Sequence, residues 1–204
     1  MPPAIVFDLF GVIALIQEPE DLRRIEAVAG MRPGADAERF WAAYWALREP
    51  YDSGQPASAY WAAVAGRLGL AFDDETVGAL VEADMDSWSH ADPAMVELIG
   101  ELAARGFALG LLSNIVGDLV PIFEAKHGEW LAHFKVLTYS CVTGVAKPDH
   151  RAYAIVADRL GVATAGCLFL DDREANVLAA REAGMRAEVF RSPAQVRELV
   201  ASLS

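Results

Sequence analysis

The chain has little of what a secreted, membrane-spanning or nucleic-acid-binding protein needs. It contains two cysteines, too few for a disulfide framework, and we expect Cys141 and Cys167 to be buried, reduced side chains. No apolar run reaches the roughly 20 residues that span a bilayer, so the sequence predicts no membrane segment. The first residues, Met1-Pro2-Pro3, lack the basic start of a signal peptide, and we expect a cytoplasmic protein.

Positive charge is also scarce. The 204 residues include 17 Lys and Arg against 29 Asp and Glu, which gives a formal net charge of −12 at pH 7. Because no basic block is available to neutralise a phosphate backbone, we expect no nucleic-acid partner. An acidic surface also repels small anions, so a phosphate site would need a lysine, a metal ion or backbone N–H groups.

Apolar residues are abundant, at 54% of the chain, which is typical of a folded globular protein. Short apolar runs predict five buried strands, at Ala4–Phe7, Ala108–Leu112, Val136–Tyr139, Cys167–Leu170 and, more weakly, Ala187–Phe190. Helical patterns separate them, and the last such pattern consists of Val196, Leu199, Val200 and Leu203. This alternation predicts an α/β fold with a parallel sheet covered on both faces.

Residues 15–88 interrupt the alternation. The segment has helical patterns, no convincing strand and many aromatic side chains, namely Trp41, Tyr44, Trp45, Tyr60, Trp61 and Trp88. Pro50, Gly54 and Pro56 mark a turn in its middle. We therefore predict a core formed by residues 1–14 and 89–204, with residues 15–88 as a helical insertion.

Reactive side chains follow four of the predicted strands. Each has an ordinary structural explanation as a cap, a turn residue or a solvated side chain. In a doubly wound parallel sheet, however, the carboxyl ends of the strands line one crevice, so these side chains can converge. They are Asp8 after the first strand, Ser113-Asn114 after the second, Lys147 after the third and Asp171-Asp172 after the fourth.

This ordered set resembles the motifs of the haloacid dehalogenase-like (HAD) hydrolase superfamily, over essentially the whole chain. The first motif of that superfamily is Asp-x-Asp-Gly after a strand, and here it reads Asp8-Leu9-Phe10-Gly11. The other motifs are a Ser or Thr, a Lys often followed by Pro, and an acidic pair, which correspond to Ser113, Lys147-Pro148 and Asp171-Asp172. The resemblance implies a Rossmann-like, doubly wound parallel sheet with the insertion as a helical cap domain.

The resemblance also implies a role for each motif. Asp8 would be the nucleophile that forms a covalent ester, and Ser113 with the backbone N–H of Asn114 would bind a substrate oxygen. Lys147 would offset the negative charge of Asp8 and of the bound group. The favoured partner is a small-molecule substrate, a phosphorylated metabolite.

Mg²⁺ is the cofactor that the resemblance implies. The ion would lie between Asp8, the backbone carbonyl of Phe10 and the acidic pair, with water completing an oxygen coordination shell. Alignment to the motif favours Asp172 as the direct ligand and Asp171 as a ligand through water.

Phe10 departs from the first motif of the superfamily. Phosphatases carry a second Asp there, which protonates the leaving group and then activates water. Such proton transfer typically contributes roughly 10²–10⁴-fold in rate. A phosphatase with Phe10 would therefore be slow, limited to good leaving groups, or dependent on another acid or base, such as a cap residue.

Two alternatives remain open because of Phe10. Dehalogenases of the superfamily place an aromatic residue there and need no acid, since halide leaves as an anion, but they need no metal and usually lack the acidic pair. The other alternative is a catalytically weak, metal- or phosphate-binding regulatory module. The intact Asp8, Lys147 and Asp172 argue against that module.

The predicted cap contains the candidate specificity residues. Trp41, Trp45 and Arg48 have the spacing of one helix face, which packing within the cap explains. Arg48 and Tyr51 lie in a turn-rich segment of the kind that closes over the crevice in capped relatives, so we hypothesise that both face the active site and bind substrate. Arg48 would also be the halide-binding cation of a dehalogenase. The sequence leaves both a monomer and a homodimer open.

Overall fold

The computed structural model describes residues 4–201 and contains a five-stranded parallel sheet. The strands are β1 (Ala4–Phe7), β2 (Leu109–Ser113), β3 (Val136–Tyr139), β4 (Cys167–Asp171) and β5 (Arg186–Val189). They lie in the order β3-β2-β1-β4-β5, and all neighbouring pairs are parallel. This arrangement confirms the predicted doubly wound α/β fold.

The strand ends differ from the prediction by one residue in three strands. β2 and β4 include Ser113 and Asp171, polar residues that we expected just after the apolar runs. Main-chain pairing continues through both, since Ser113 pairs with Tyr139 and Asp171 pairs with Val189. β5 begins and ends one residue earlier than the prediction. The pattern of apolar residues contains no information on main-chain pairing, so the strand ends predicted from it differ from the observed ends by one residue.

Eleven α-helices surround the sheet within residues 4–201. They are α1 (Pro19–Val28), α2 (Ala35–Ala46), α3 (Arg48–Asp52), α4 (Ala57–Leu68), α5 (Asp74–Ser87), α6 (Pro93–Ala104), α7 (Leu119–Leu131), α8 (Ser140–Thr143), α9 (His150–Leu160), α10 (Glu174–Glu182) and α11 (Pro193–Ala201). The side chain of Asp92 accepts a hydrogen bond from the N–H of Ala94 and so caps α6. Leu203, the last position of the predicted final helix, lies outside the described residues.

Each face of the sheet is covered by its own apolar cluster. On one face, α9 and α10 pack against side chains such as Val6 and Phe169. On the other face, α6, α7 and α11 pack against Ile5 and Phe7. Because every residue of β1 is buried, this central strand can hold the residue that follows it in a fixed position.

The insertion between β1 and α6 is helical, as predicted. Residues 15–88, all of which are described, contain α1 to α5 and no strand. Their aromatic side chains pack together, and the rings of Phe40 and Trp61 are stacked with centroids 6.3 Å apart. This packing is continuous with the apolar cluster on the α6 face of the sheet. We propose residues 15–88 as the cap and the remainder as the core.

The two cysteines are free thiols. Cys167 is buried and Cys141 is half-buried, and burial raises the pKa of the Cys167 thiol to about 11. Neither therefore has the low pKa of a reactive thiol, since burial also raises the pKa of Cys141. Among the described residues, no helix has the length and apolar character that a bilayer crossing requires.

Candidate active site

The sheet brings two of the predicted carboxylates together at its switch point. Asp8 follows β1 and Asp171 ends β4. These two strands are neighbours, and the direction in which successive strands are added to the sheet reverses between them. The N–H of Asp8 donates to the carbonyl of Leu170 at 2.8 Å, which continues the ladder up to the carboxylates. Ligands of doubly wound sheets bind in the crevice at this point.

Lys147 joins these carboxylates. Its Nζ lies 2.6 Å from Asp8 Oδ1 and 2.6 Å from Asp171 Oδ2, and its side chain is almost fully buried. Burial alone would lower the pKa of Lys147, but Asp8 and Asp171 raise it above its ordinary value, so the ammonium stays charged. Burial also raises the pKa of Asp8, against the attraction of Lys147. Further positive charge beside Asp8 would therefore favour its ionised form.

Asp171 has all its hydrogen-bonding capacity in use. Besides Lys147, it accepts bonds from Asn176 Nδ2 at 3.0 Å to each oxygen and from the N–H of Arg173 at 2.8 Å. Asp172 differs because its side chain is exposed to the crevice, and its pKa is raised by desolvation and by Asp171. Asp172 is thus the member of the acidic pair with room for a further cation.

Gly11 shapes the space beside Asp172. Its φ of +77° lies in the left-handed region, and a Cβ added there would lie 2.5 Å from Asp172 Oδ2. Nearby, the N–H of Ala14 donates to the carbonyl of Leu9 at 2.7 Å, and the carbonyl of Ala14 accepts from the N–H of Gly11 at 2.8 Å. These two bonds form an isolated β-bridge between Phe10 and Ala14, in which the backbone carbonyl of Phe10 takes no part. The glycine therefore leaves room for Asp172 Oδ2, and the bridge leaves the Phe10 carbonyl unused.

These donors fit a Mg²⁺ ion. Oxygen atoms of Asp8, Asp171 and Asp172 lie within 4.8 Å of one another, and carboxylate and carbonyl oxygens are the ligands that Mg²⁺ prefers. With three carboxylates and one lysine, the cluster retains two uncompensated negative charges when all are ionised, which a divalent cation would balance.

Asn114 positions the backbone of Lys147. Its Nδ2 donates to the Lys147 carbonyl at 2.8 Å, and its Oδ1 accepts from the Lys147 N–H at 2.8 Å. This reciprocal pair ties the loop before α9 to the end of β2, a role that the sequence did not reveal. Ser113, which we expected to bind a substrate oxygen, is fully buried. Of the two neighbours Ser113 and Asn114, Asn114 is the one that lines the crevice.

A cavity of about 490 Å³ opens over these residues and reaches the cap. Its core side includes Asp8, Asn114, Lys147 and Asp172. Its cap side includes Trp41, Trp45, Arg48 and Asp52. The two tryptophans therefore line the cavity in addition to packing within the cap. The predicted single helix face is wrong for Arg48, because α2 ends at Ala46 and Arg48 begins α3.

Arg48 lies in the cavity wall as hypothesised, while Tyr51 does not. The guanidinium of Arg48 is held by Asp52 Oδ1 at 3.0 Å and by the fully buried Asp84, through Oδ2, at 3.1 Å. Tyr51 is fully buried and outside the cavity lining, with its hydroxyl 3.1 Å from Asp118 Oδ2. The Arg48 guanidinium lies 5.3 Å from the centre of the Tyr51 ring, so Tyr51 supports Arg48 instead of facing substrate.

Phe10 forms an aromatic part of the cavity wall. Its ring meets the ring of Trp88 edge to face at 5.1 Å and that of Phe123 at 6.4 Å. Trp88 also lines the cavity, and its indole N–H donates to the hydroxyl of Tyr44 at 3.2 Å. The sequence places Trp88 only in an aromatic-rich segment, so no motif signal distinguishes it from the packed aromatics.

Comparison with known proteins agrees with the geometry. The haloacid dehalogenase-like hydrolase family matches residues 2–184. Phosphatase MT3486 of Mycobacterium tuberculosis is 30% identical over 203 residues, covering 96% of this chain and 90% of that protein.

Solved structures with the same fold include enzymes of two kinds. HAD family enzyme bt-2542 of Bacteroides thetaiotaomicron, in complex with magnesium and inorganic phosphate, has a TM-score of 0.70 at 16% identity, over 94% of this chain and 95% of that one. L-2-haloacid dehalogenase of Xanthobacter autotrophicus has a TM-score of 0.68 at 24% identity, over 98% and 83%. These structures share the fold of the chain, and the family match over residues 2–184 with the relative at 30% identity shows that the chain belongs to the haloacid dehalogenase-like hydrolase family.

Proposed function

We propose that this hydrolase is a Mg²⁺-dependent phosphatase of small phosphorylated metabolites, with Asp8 as its nucleophile. The observation that carries the proposal is the cluster of Asp8, Asp171 and Asp172 beside Lys147, at a cavity of about 490 Å³ that Asp8, Lys147 and Asp172 line. Three carboxylates so close together are costly without a cation, and displacement of halide gives no reason to retain them. The relative named as a phosphatase, which matches nearly the whole chain, supports the same choice.

The two oxygens of Asp8 have different surroundings. Oδ1 accepts from Lys147 Nζ at 2.6 Å and from the N–H of Leu9 at 2.6 Å. Oδ2 is held by neither Lys147 nor the N–H of Leu9, so it is the oxygen left to approach phosphorus. Lys147 and Leu9 thereby fix the carboxylate in one orientation, which reduces the entropic barrier to attack.

The reaction follows from these positions in two steps. Asp8 Oδ2 forms a bond to phosphorus while the bond from phosphorus to the substrate oxygen breaks, and the leaving oxygen keeps the electron pair. Water then attacks the phosphorus of the aspartyl phosphate, releases phosphate and restores the Asp8 carboxylate. Mg²⁺ bound by Asp8, Asp172 and the Phe10 carbonyl would neutralise charge on the transferred group. Lys147 stabilises the same charge.

The side chain of Phe10 cannot donate or accept a proton in either step. The leaving oxygen must therefore take its proton from water, and the attacking water must lose its proton to solvent or to phosphate. We infer slow turnover with alkoxide leaving groups and faster turnover with good leaving groups.

Dehalogenation is the second candidate, and one feature of the cavity favours it. Phe10 provides an aromatic ring and Arg48 provides a cation in the same cavity, which suits a halide that leaves as an anion. In that reaction, Asp8 would attack the carbon that bears the halogen, and chelation of Mg²⁺ would change nothing.

Turnover of 4-nitrophenyl phosphate by wild type, Phe10→Asp and Asp8→Asn, with Mg²⁺ and with EDTA, tests the proposal. We expect Mg²⁺-dependent phosphate release by wild type, none by Asp8→Asn, and a gain of about 10²-fold in Phe10→Asp. Circular dichroism must show that Phe10→Asp is folded, because Phe10 packs on Trp88. Chloride release from 2-chloropropionate that resists EDTA, without phosphate release, would overturn the phosphatase. Phosphate binding without turnover in wild type and Phe10→Asp would instead indicate a regulatory module.

A further inference from the structure

Most of the cavity wall away from the carboxylates is apolar and aromatic. Four rings form what we call the aromatic wall, defined as Phe10, Trp41, Trp45 and Trp88. Ile16 and Leu22 extend the same surface. Arg48 and Asp52 also line the cap side, but they pair with each other at 3.0 Å. A cavity with carboxylates and a lysine at one end and several aromatic rings opposite fits a ligand with the same division.

The aromatic wall offers little hydrogen bonding to a ligand. The indole N–H of Trp41 donates to Glu26 Oε1 at 2.7 Å, and that of Trp88 donates to the hydroxyl of Tyr44 at 3.2 Å. With these donors occupied, Trp41 and Trp88 present carbon atoms to the cavity. A sugar or another polyhydroxyl group would lose hydrogen bonds to water here without regaining them.

Two side chains of this surface remain open to water in spite of their size. Trp45 is 53% exposed and Ile16 is 62% exposed, and both line the cavity. The ring of Trp45 meets that of Trp88 edge to face at 6.2 Å, and Trp88 meets Phe10 at 5.1 Å. The rings thus form a continuous path from the edge of the cap to the nucleophile loop. Exposed apolar surface of this kind in a concave site indicates an apolar ligand.

The absent proton donor at position 10 separates aromatic from aliphatic ligands. A phenol has a pKa of about 10, as in tyrosine, so phenoxide can leave without a proton. An aliphatic alkoxide is far more basic and needs an acid that Phe10 cannot provide. Leaving-group chemistry and the shape of the wall therefore select the same kind of molecule independently.

We propose that the substrate is a phosphate monoester of an aromatic alcohol, with its ring against the aromatic wall and its phosphate at Asp8. This inference rests on the proposed phosphatase function. Asp8 Oδ2 bonds to phosphorus as the bond to the aryl oxygen breaks, and the aryloxide leaves with the electron pair and takes a proton from water. Water then cleaves the aspartyl phosphate to give inorganic phosphate.

The test compares substrates that differ in apolar size but have leaving groups of similar acidity. We would measure kcat/KM with Mg²⁺ for 2-naphthyl phosphate and phenyl phosphate, with n-octyl phosphate as the aliphatic arm. Acetyl phosphate, a small substrate with a good leaving group, reports the phosphatase chemistry alone. Wild type is expected to prefer naphthyl over phenyl by about tenfold or more, since even one apolar group in a pocket contributes that much. It should cleave the octyl ester least.

Trp45→Ala should remove most of the naphthyl preference, whereas Trp45→Phe should keep the preference. Leu70→Ala is the matched control, since Leu70 is an exposed apolar residue of the cap outside this cavity. Equal kcat/KM for naphthyl and phenyl esters, with acetyl phosphate still hydrolysed, would overturn the aromatic substrate alone. Preference for the octyl ester would also overturn it, while no hydrolysis of any phosphate would overturn the phosphatase as well.

Discussion

Substitution of Gly11 by alanine tests the arrangement of the acidic pair, because two separate effects are expected. First, Gly11 has a φ of +77°, and a residue with a Cβ in the left-handed region costs about 1–2 kcal/mol. Second, the new Cβ would lie 2.5 Å from Asp172 Oδ2, closer than any normal contact, so the carboxylate must move. The first effect concerns folding, and the second concerns Mg²⁺ binding and turnover.

Gly30→Ala separates these effects. Gly30 has a similar φ of +71°, but a Cβ there would meet nothing within 4 Å. Both variants should therefore lose about 1–2 kcal/mol in the free energy of unfolding, measured in urea with EDTA so that metal binding does not contribute. Only Gly11→Ala should lose Mg²⁺ affinity by calorimetry and phosphatase activity with it.

The refuting result is specific. If Gly11→Ala binds Mg²⁺ with wild-type affinity and keeps its activity, then the position of Asp172 does not matter for the ion. The reasoning that assigns Asp172 as a metal ligand would then be wrong, whatever the change in stability.

Three further predictions concern the groups that hold the site. Mg²⁺ at 100 times its dissociation constant should raise the free energy of unfolding by about 2.7 kcal/mol in wild type, and Asp172→Asn should abolish this gain in urea melts. Asn114→Ala leaves the backbone N–H and carbonyl of Lys147 without partners, so we expect a loss of about 1–3 kcal/mol in stability and a fall in kcat larger than any change in KM. Arg48→Met leaves the buried Asp84 without its cation, and thermal unfolding should show a loss of about 3–5 kcal/mol that the additional change Asp84→Asn partly restores.

The strands and the class of the sheet could be predicted from the sequence because they depend on local apolar runs and on their alternation with helices. Val136–Tyr139 has the predicted ends, and the carboxylates that follow or end two neighbouring strands converge as parallel topology requires. The positions of Asp8, Lys147 and the acidic pair after successive strands therefore predicted where the candidate site lies.

Side-chain direction could not be predicted in the same way. Ser113 stands at the expected strand end, yet its side chain is buried, because tertiary packing decides which way that residue faces. Tyr51 lies beside Arg48 but packs against Tyr60 with ring centres 4.4 Å apart, a partner from another helix. The helix break at Leu47 likewise changes which residues share a face with Trp45. Such outcomes depend on contacts between distant segments, which periodicity does not encode.

The covalent state of Asp8 during turnover tests the central claim most directly. Protein quenched in acid during turnover of 4-nitrophenyl phosphate with Mg²⁺ should carry one phosphoryl group by intact mass, mapped to Asp8 by peptide analysis. The adduct should accumulate because Phe10 cannot activate water for its hydrolysis, and it should be absent with EDTA. A carboxyalkyl ester on Asp8 after incubation with 2-chloropropionate and EDTA, with no phosphoryl adduct under any condition, would contradict the account.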